Sequence, residues 1–561
     1  MIDLVFRDAL VVDGTGAEPF RGDVAVTAGR IASVAPSLGH VDAARAIDAT
    51  GLALMPGVID SHTHFDAQIT WDPTLSPSPA LGVTTAVIGN CGFTIAPCRP
   101  ADREITMRNL TQVEGMSIDA LRAGIDWRFE TFAEYLAQLR ERGSVANVAA
   151  YVGHSSVRTY VMGDDAAKRA ATAAEIAQMQ AIVRAAMAHG AVGFASSTSP
   201  AHNGEGGLPM PSRLASDEEM AALVGAMAED GRGVYMLTKG SDTKISFLES
   251  LAAATGRPVM VAALLHNSVA PRAVFDDLDA IAAANARGHR LLGQVSCCAL
   301  TMDFTLASPY PVEGLASWKP ALGKSGAALK AVLGEPAFRD GVRAELKSAT
   351  TFRLFNGEWD KVHVVETARP ELARHEQRSI TAIAAEGGGD PLDAMLDIAL
   401  ADDLKTVFTA QLLNSDEEAV GRMLNHPHSI VSLSDAGAHL TFFNDAGFGL
   451  HLLGHWSRDL GAMSLADAVR RLTSHPASVL GLVGRGTIAA GHAADLLLFD
   501  PKTVARGPKR RVHDLPAGAA RLTTDAVGVH GVWVNGRQVA DADGLLANAP
   551  LAGQLLTEFA A

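Results

Sequence analysis

Cysteine is scarce: four residues in 561, at Cys91, Cys98, Cys297 and Cys298. They do not make the framework of a small secreted disulfide scaffold. No stretch approaches the roughly 18 uncharged apolar residues of a membrane span. The opening residues, MIDLVFRDALVVDG, carry no basic segment ahead of an apolar run, so no signal peptide is expected. Basic residues are outnumbered, 47 Lys and Arg against 62 Asp and Glu, for a formal charge of -15. Such a chain lacks the counterion-release term that drives nucleic-acid binding. Its one basic block, RGPKRR at 506–511, reads as a solvated surface loop, with a phosphate-binding patch as the alternative. These absences point to a cytoplasmic enzyme with neither a membrane nor a nucleic acid as partner.

What is present fits a folded enzyme. Hydrophobic residues are 48% and charged residues 19%, and glycine, at 53, is plentiful enough for many tight turns. The length suggests two or three domains, although α/β barrels run long as single units. Both ends are β-rich. Residues 4–12, 22–27 and 30–34 are short apolar runs separated by glycine turns. Residues 494–499 (ADLLLF) and 527–534 (VGVHGVWV) resemble them, and Asn535-Gly536 signals a hairpin. Each piece is too small to hold a core alone, so 1–55 and 481–561 are expected to pair as one small β-sandwich.

From 56 to 480 the pattern changes to short apolar runs alternating with helical ones. Strands are predicted at 57–60, 83–88, 145–152, 191–195, 234–237, 259–265, 290–296 and 429–433. Runs of Val, Ile, Leu and Ala suit strands buried on both faces, and eight βα units make a (β/α)8 barrel. The last two strands are about 130 residues apart, far beyond a normal βα connection. Residues 299–428 are therefore read as an insertion, a lid or wall for the substrate pocket at the barrel mouth.

The chemistry begins at the first strand end, PGVIDSHTHFD (56–66). Residues two apart on a strand face the same way, so His62 and His64 can both aim into the barrel mouth. That suits zinc or a related metal; the alternative is a pair of surface histidines. Asp60 would support rather than bind. Cys91 ends the second strand, as a thiolate ligand or a buried small hydrophobe. Asp435 ends the last strand, where a carboxylate can touch metal and shuttle a proton; the alternative is a turn aspartate.

Together PGVIDSHTHFD, GNCGFTIAP (89–97), YVGHSSVRTYVMG (151–163), LSDAGAH (433–439) and TSHPASVLGLVGRGTIAAGHAADLLLFDP (473–501) resemble the amidohydrolase superfamily. Within it, they are most similar to the D-aminoacylase, or N-acyl-D-amino-acid deacylase, group. The resemblance covers almost the whole chain and implies metal roles for His62, His64 and Cys91 and acid–base duty for Asp435. It also implies histidines at the ends of the fifth and sixth strands, where this chain reads YMLTKGSD (235–242) and VMVAALLHNS (259–268). Lys239, as a carbamate, and His266 are candidate replacement ligands. The resemblance further implies a carboxylate-gripping arginine after the last strand. None stands there, and Arg213 is a candidate substitute. His154 is a candidate catalytic group toward a leaving group or oxyanion, and Ser196, Ser197, His439 and His451 are candidates for substrate binding.

The expected activity is metal-dependent hydrolysis of a non-peptide C–N bond in a small amide, N-acyl amino acids being one substrate class. One or two zinc ions, or another divalent metal, would activate the attacking water, with Asp435 as general base and then acid. The rivals are a cyclic amidase or other amidohydrolase reaction on the same scaffold, and a non-catalytic binding barrel. A homo-oligomer is compatible with an enzyme of this kind.

Overall fold

The computed structural model describes residues 2–350 and 353–561. The chain divides into two compact units, one of residues 1–264, 277–297 and 423–561, the other of residues 265–276 and 298–422.

The first unit holds the barrel. Its eight parallel strands are β1 (Val58–Asp60), β2 (Val83–Ile88), β3 (Asn147–Gly153), β4 (Gly193–Ser197), β5 (Val234–Thr238), β6 (Val259–Leu264), β7 (Leu291–Val295) and β8 (Ser429–Val431), and each pairs with the next in chain order. Every residue of β2, β3 and β4 is buried. Both faces of these strands are covered, which is why none of them carries a charged residue or alternates apolar with charged positions. The helices between them are fixed by their own sequences. Thr131 with Glu134, and Thr172 with Glu175, form complete capping boxes at the starts of Phe132–Arg142 and Ala173–Ala188.

The ring closes just beyond the ends of β1 and β8. Thr63 and Ala436 form a parallel bridge there, and the His64 N–H donates to the Ala436 carbonyl at 2.7 Å. The Ser434 hydroxyl donates to the Asp60 carboxylate across the same seam. Closure therefore brings the first and last strand ends together at the side chains of interest.

The termini build one nine-stranded mixed sheet. Its N-terminal strands, including Ile2–Val11 and Phe20–Thr27, join the C-terminal ones through antiparallel pairing of Ala53–Pro56 with Leu496–Phe499. Phe6 and Trp533 lie three strands apart in the sheet order, about 14 Å at normal strand spacing. Their ring centroids are 4.9 Å apart, so the sheet curls over and its two halves share a core with Leu4, Val24, Leu496 and Leu498. Asn535 (φ 47°) and Gly536 (φ 77°) are both left-handed, as a two-residue hairpin turn requires.

One expectation is corrected. The basic block at 506–511 is no loop: it belongs to the strand Ala505–Val512, paired antiparallel with Arg521–Val527. Its charges are spent locally. Arg506 pairs with Asp445 at 2.5 Å, Arg510 with Asp525 at 2.8 Å, and Arg511 donates to the Thr441 carbonyl.

The second unit contains a three-stranded antiparallel sheet, with Val407–Leu413 between Leu300–Phe304 and Val362–Glu366. Among its helices, Pro336–Lys347 is tied to Pro391–Ala401 by Arg339 and Arg343, which pair with Asp393. Among the described residues no helix is long and apolar enough to cross a membrane.

Candidate metal centre

Beyond β1 the chain stays extended long enough for His62 and His64 to turn the same way. Their imidazoles and the Cys91 thiol bring one ligand atom each to within 4.8 Å of one another, all three buried. Cys91 Sγ lies 3.5 Å from His62 Nε2 and 3.9 Å from His64 Nε2. Asp435 Oδ1 completes the group, 3.4 Å from His62 Nε2 and 3.0 Å from His64 Nε2.

The far side of each ring decides which nitrogen is free. His62 Nδ1 meets Gln294 Oε1 at 2.8 Å, and the Gln294 amide nitrogen donates to Ser61 Oγ at 3.2 Å, which turns its oxygen toward the ring. His64 Nδ1 meets Glu114 Oε1 at 3.1 Å. Both partners are acceptors, so in the neutral rings the Nδ1 atoms carry the hydrogens and the Nε2 atoms face inward, able to donate electron pairs to a metal. Backing of this kind orients metal-binding histidines.

The backbone is bent to make this cluster. Cys91 (φ 55°), Asp435 (φ 53°) and His439 (φ 51°) are all left-handed, a conformation that costs a non-glycine residue roughly 1–3 kcal/mol and persists where the surroundings force it. Gly92 (φ 76°) permits the turn at Cys91, because a Cβ there would sit 2.6 Å from the Ala195 carbonyl oxygen.

Charge accumulates here. Burial works against ionising Cys91, but the two imidazoles outweigh it and lower the thiol below its usual range. Burial likewise opposes the charge on Asp435, yet the His64 hydrogen bond and the His64, His62 and His439 charges hold it well below the ordinary carboxylate range. Burial disfavours a proton on His64, but the charge of Glu114, with hydrogen bonds to Asp435, Cys91 and Glu114, raises that ring well above its usual value. Asp60 is pushed up to about 7 by burial, against the Ser434 hydrogen bond. A sulfur, two imidazoles and two carboxylates thus face one another in a buried space. A soft sulfur with two nitrogens is a donor set that zinc accepts, so the residues present fit a metal.

The cavity they face, about 80 Å³, is lined further by Phe93, Val113, Glu114, His202, Thr238, Ala263, Leu433 and His439. His439 approaches Asp435 Oδ2 at 3.6 Å. Thr238 ends β5 where the resemblance implies a histidine, and its hydroxyl is 3.1 Å from Cys91 Sγ.

Other candidates lie elsewhere. Lys239 pairs with Asp277 at 3.0 Å and does not line the cavity. His266 belongs to the second unit, where its N–H donates to Asn414 Oδ1 at 2.7 Å. His154 is fully buried with both nitrogens engaged, by Ser196 Oγ at 2.8 Å and Glu219 Oε1 at 2.9 Å. Ser196 is thereby committed to His154. Ser197 reaches His202 Nδ1 at 2.7 Å. Arg213 donates to the His202 carbonyl at 3.1 Å and lines a separate cavity of about 600 Å³ with Lys244, Thr198 and Thr243. His451 stacks on His455, centroids 4.8 Å apart, and burial pushes it down to about 3.

Glu114, Gln294, Thr238 and His202 were not anticipated. Glu114 and Gln294 carry no spacing signal, and His202 sits in the polar loop HNGEGG. Thr238 was marked only by the histidine missing from its segment.

Known proteins supply context for this geometry. Residues 45–318 and 336–540 match the amidohydrolase family. The chain is 30% identical over 544 residues to a D-aminoacylase of Alcaligenes xylosoxydans xylosoxydans, covering 96% of this chain and 94% of that one. It is 29% identical to an N-acyl-D-aspartate deacylase of the same organism, covering 99% and 95%. Among solved structures, an N-acyl-D-glutamate deacylase from Bordetella bronchiseptica, complexed with zinc and a phosphonate mimic of the tetrahedral intermediate, is 26% identical with a TM-score of 0.67, covering 99% and 100%. With the HxH and GNCG segments meeting at the mouth of the barrel, the chain belongs to the amidohydrolase family.

Proposed function

We propose that this chain is a zinc-dependent amide hydrolase with a single metal held by His62, His64 and Cys91 and with Asp435 as its proton carrier. One observation carries the reading: two imidazole nitrogens and a thiol sulfur converge within 4.8 Å, with the Asp435 carboxylate at 3.0 and 3.4 Å from the two nitrogens. A divalent cation bound there would polarise a carbonyl and acidify water.

The chain's own residues do the rest. Asp435 accepts a proton as the water oxygen bonds to the carbonyl carbon and the C=O electron pair moves onto oxygen. When the carbonyl re-forms and the C–N bond breaks, Asp435 returns that proton to the departing nitrogen. In the resting site the neighbouring imidazoles hold Asp435 ionised, the form that can take up a proton. The relatives named as deacylases of D-amino acids make N-acyl-D-amino acids the first substrate class to try. A second class, cyclic amides, is favoured by the cavity lining, which includes neither lysine nor arginine to grip a carboxylate.

The test is a panel of N-acyl-D-amino acids, hydantoins and cyclic amides given to zinc-loaded enzyme and to Asp435→Asn. Hydrolysis by the first alone supports the reading. No hydrolysis of any member, or a metal content well below one per chain, favours a binding barrel instead.

A further inference from the structure

We infer that His202 is a substrate-contacting residue of this cavity, its Nε2–H donating to the carbonyl oxygen of the scissile amide and to the oxyanion it becomes. The inference rests on the amide-hydrolase reading above.

His202 is held as a rigid element although it lies in a loop. Its N–H donates to the Ser199 carbonyl at 3.1 Å, and its carbonyl accepts from Met210 N–H at 3.1 Å and from the Arg213 guanidinium at 3.1 Å. The ring stands edge-on to Phe93, with centroids 4.9 Å apart. Nδ1 is 2.7 Å from Ser197 Oγ. Nε2 has no protein partner among the described residues, and the ring lines the same cavity as His62, His64, Cys91 and Asp435.

Ser197 decides which nitrogen carries the hydrogen. Its oxygen already accepts the Ser199 N–H at 3.1 Å. Its single hydroxyl hydrogen has two acceptors in reach, His202 Nδ1 at 2.7 Å and the Thr238 carbonyl at 3.4 Å. The second distance is at the limit of a hydrogen bond, so the hydroxyl donates to Nδ1 and leaves the hydrogen on Nε2.

Donors are scarce in this cavity: beside His202 they are the Thr238 hydroxyl, 3.1 Å from Cys91 Sγ, and the His439 ring. Asp435, Glu114 and the Cys91 thiolate are acceptors. His62 and His64 spend their N–H groups on Gln294 and Glu114, and His439 faces Asp435. An amide oxygen entering here gains negative charge as water adds to its carbon and loses it when the C–N bond breaks. An N–H fixed in advance stabilises that middle state most.

The experiment compares zinc-loaded wild type, His202→Ala and His202→Gln, with metal content measured on each. Two readouts are taken: hydrolysis of the best amide in the panel, and calorimetric binding of phenylphosphonate as a tetrahedral anion. Full zinc is expected in both variants. In His202→Ala, kcat should fall roughly 10²- to 10³-fold, KM should move much less, and phosphonate binding should weaken sharply. His202→Gln, which keeps an N–H donor, should recover part of both. Retention of kcat and phosphonate binding within twofold in His202→Ala overturns the inference, as does loss of zinc in that variant or no phosphonate binding by wild type. Weakened phosphonate binding in His202→Ala beside a wild type that hydrolyses no amide upholds the donor and removes the amide-hydrolase reading.

Discussion

Glu114 offers a quantitative test of how the metal centre is held. Its carboxylate is buried and lies 3.1 Å from His64 Nδ1, and its carbonyl accepts the N–H of His439. Replacing it with Ala removes the acceptor that fixes the ring's orientation and its inward-facing nitrogen. Loss of such a backing group lowers metal affinity about 10- to 100-fold, or about 1.4–2.7 kcal/mol. Glu114→Gln keeps an oxygen of the same reach but no charge, so it should lie between wild type and Glu114→Ala. The assay is zinc titration against a competing chelator, with thermal unfolding of the metal-free proteins run alongside to separate affinity from fold. An unchanged zinc affinity, within twofold, in a folded Glu114→Ala protein would refute the idea that this contact orients His64.

Other consequences follow from the same geometry. Asp435→Asn should keep its zinc by elemental analysis and lose about 10²- to 10⁴-fold in turnover; near-normal activity removes the proton-carrier role. Gly92→Ala places a Cβ 2.6 Å from the Ala195 carbonyl oxygen at a left-handed residue, so both melting temperature and zinc retention should fall. Glu219→Gln strips the fully buried Arg158 of the carboxylate that binds it at 2.6 Å. Stranding that charge should cost about 3–5 kcal/mol by chemical denaturation.

Much of the barrel was legible because its strands obey local rules. Strands buried on both faces read as continuous apolar runs, and the two-residue repeat of a strand announced that His62 and His64 share a side. The same alternation explains where Lys239 points. It comes directly after Thr238, the last residue of β5, so when Thr238 faces Cys91 the next side chain turns away, toward Asp277. His154 looked free at the end of β3, but its partner Glu219 is 65 residues distant and no local pattern reveals it. Glu114, Gln294 and His202 join the site only when the sheet closes, since their approach is set by long-range packing. The block at 506–511 read as a loop because its charge concealed a strand whose arginines each find a partner nearby.

X-ray absorption at the zinc edge of the purified, metal-loaded protein tests the centre most directly. A site built on Cys91, His62 and His64 should give one sulfur scatterer near 2.3 Å and nitrogen or oxygen scatterers near 2.0–2.1 Å, with one zinc per chain and the sulfur shell lost in Cys91→Ser. A spectrum of the wild type with no sulfur shell, or one unchanged by that substitution, would contradict the site.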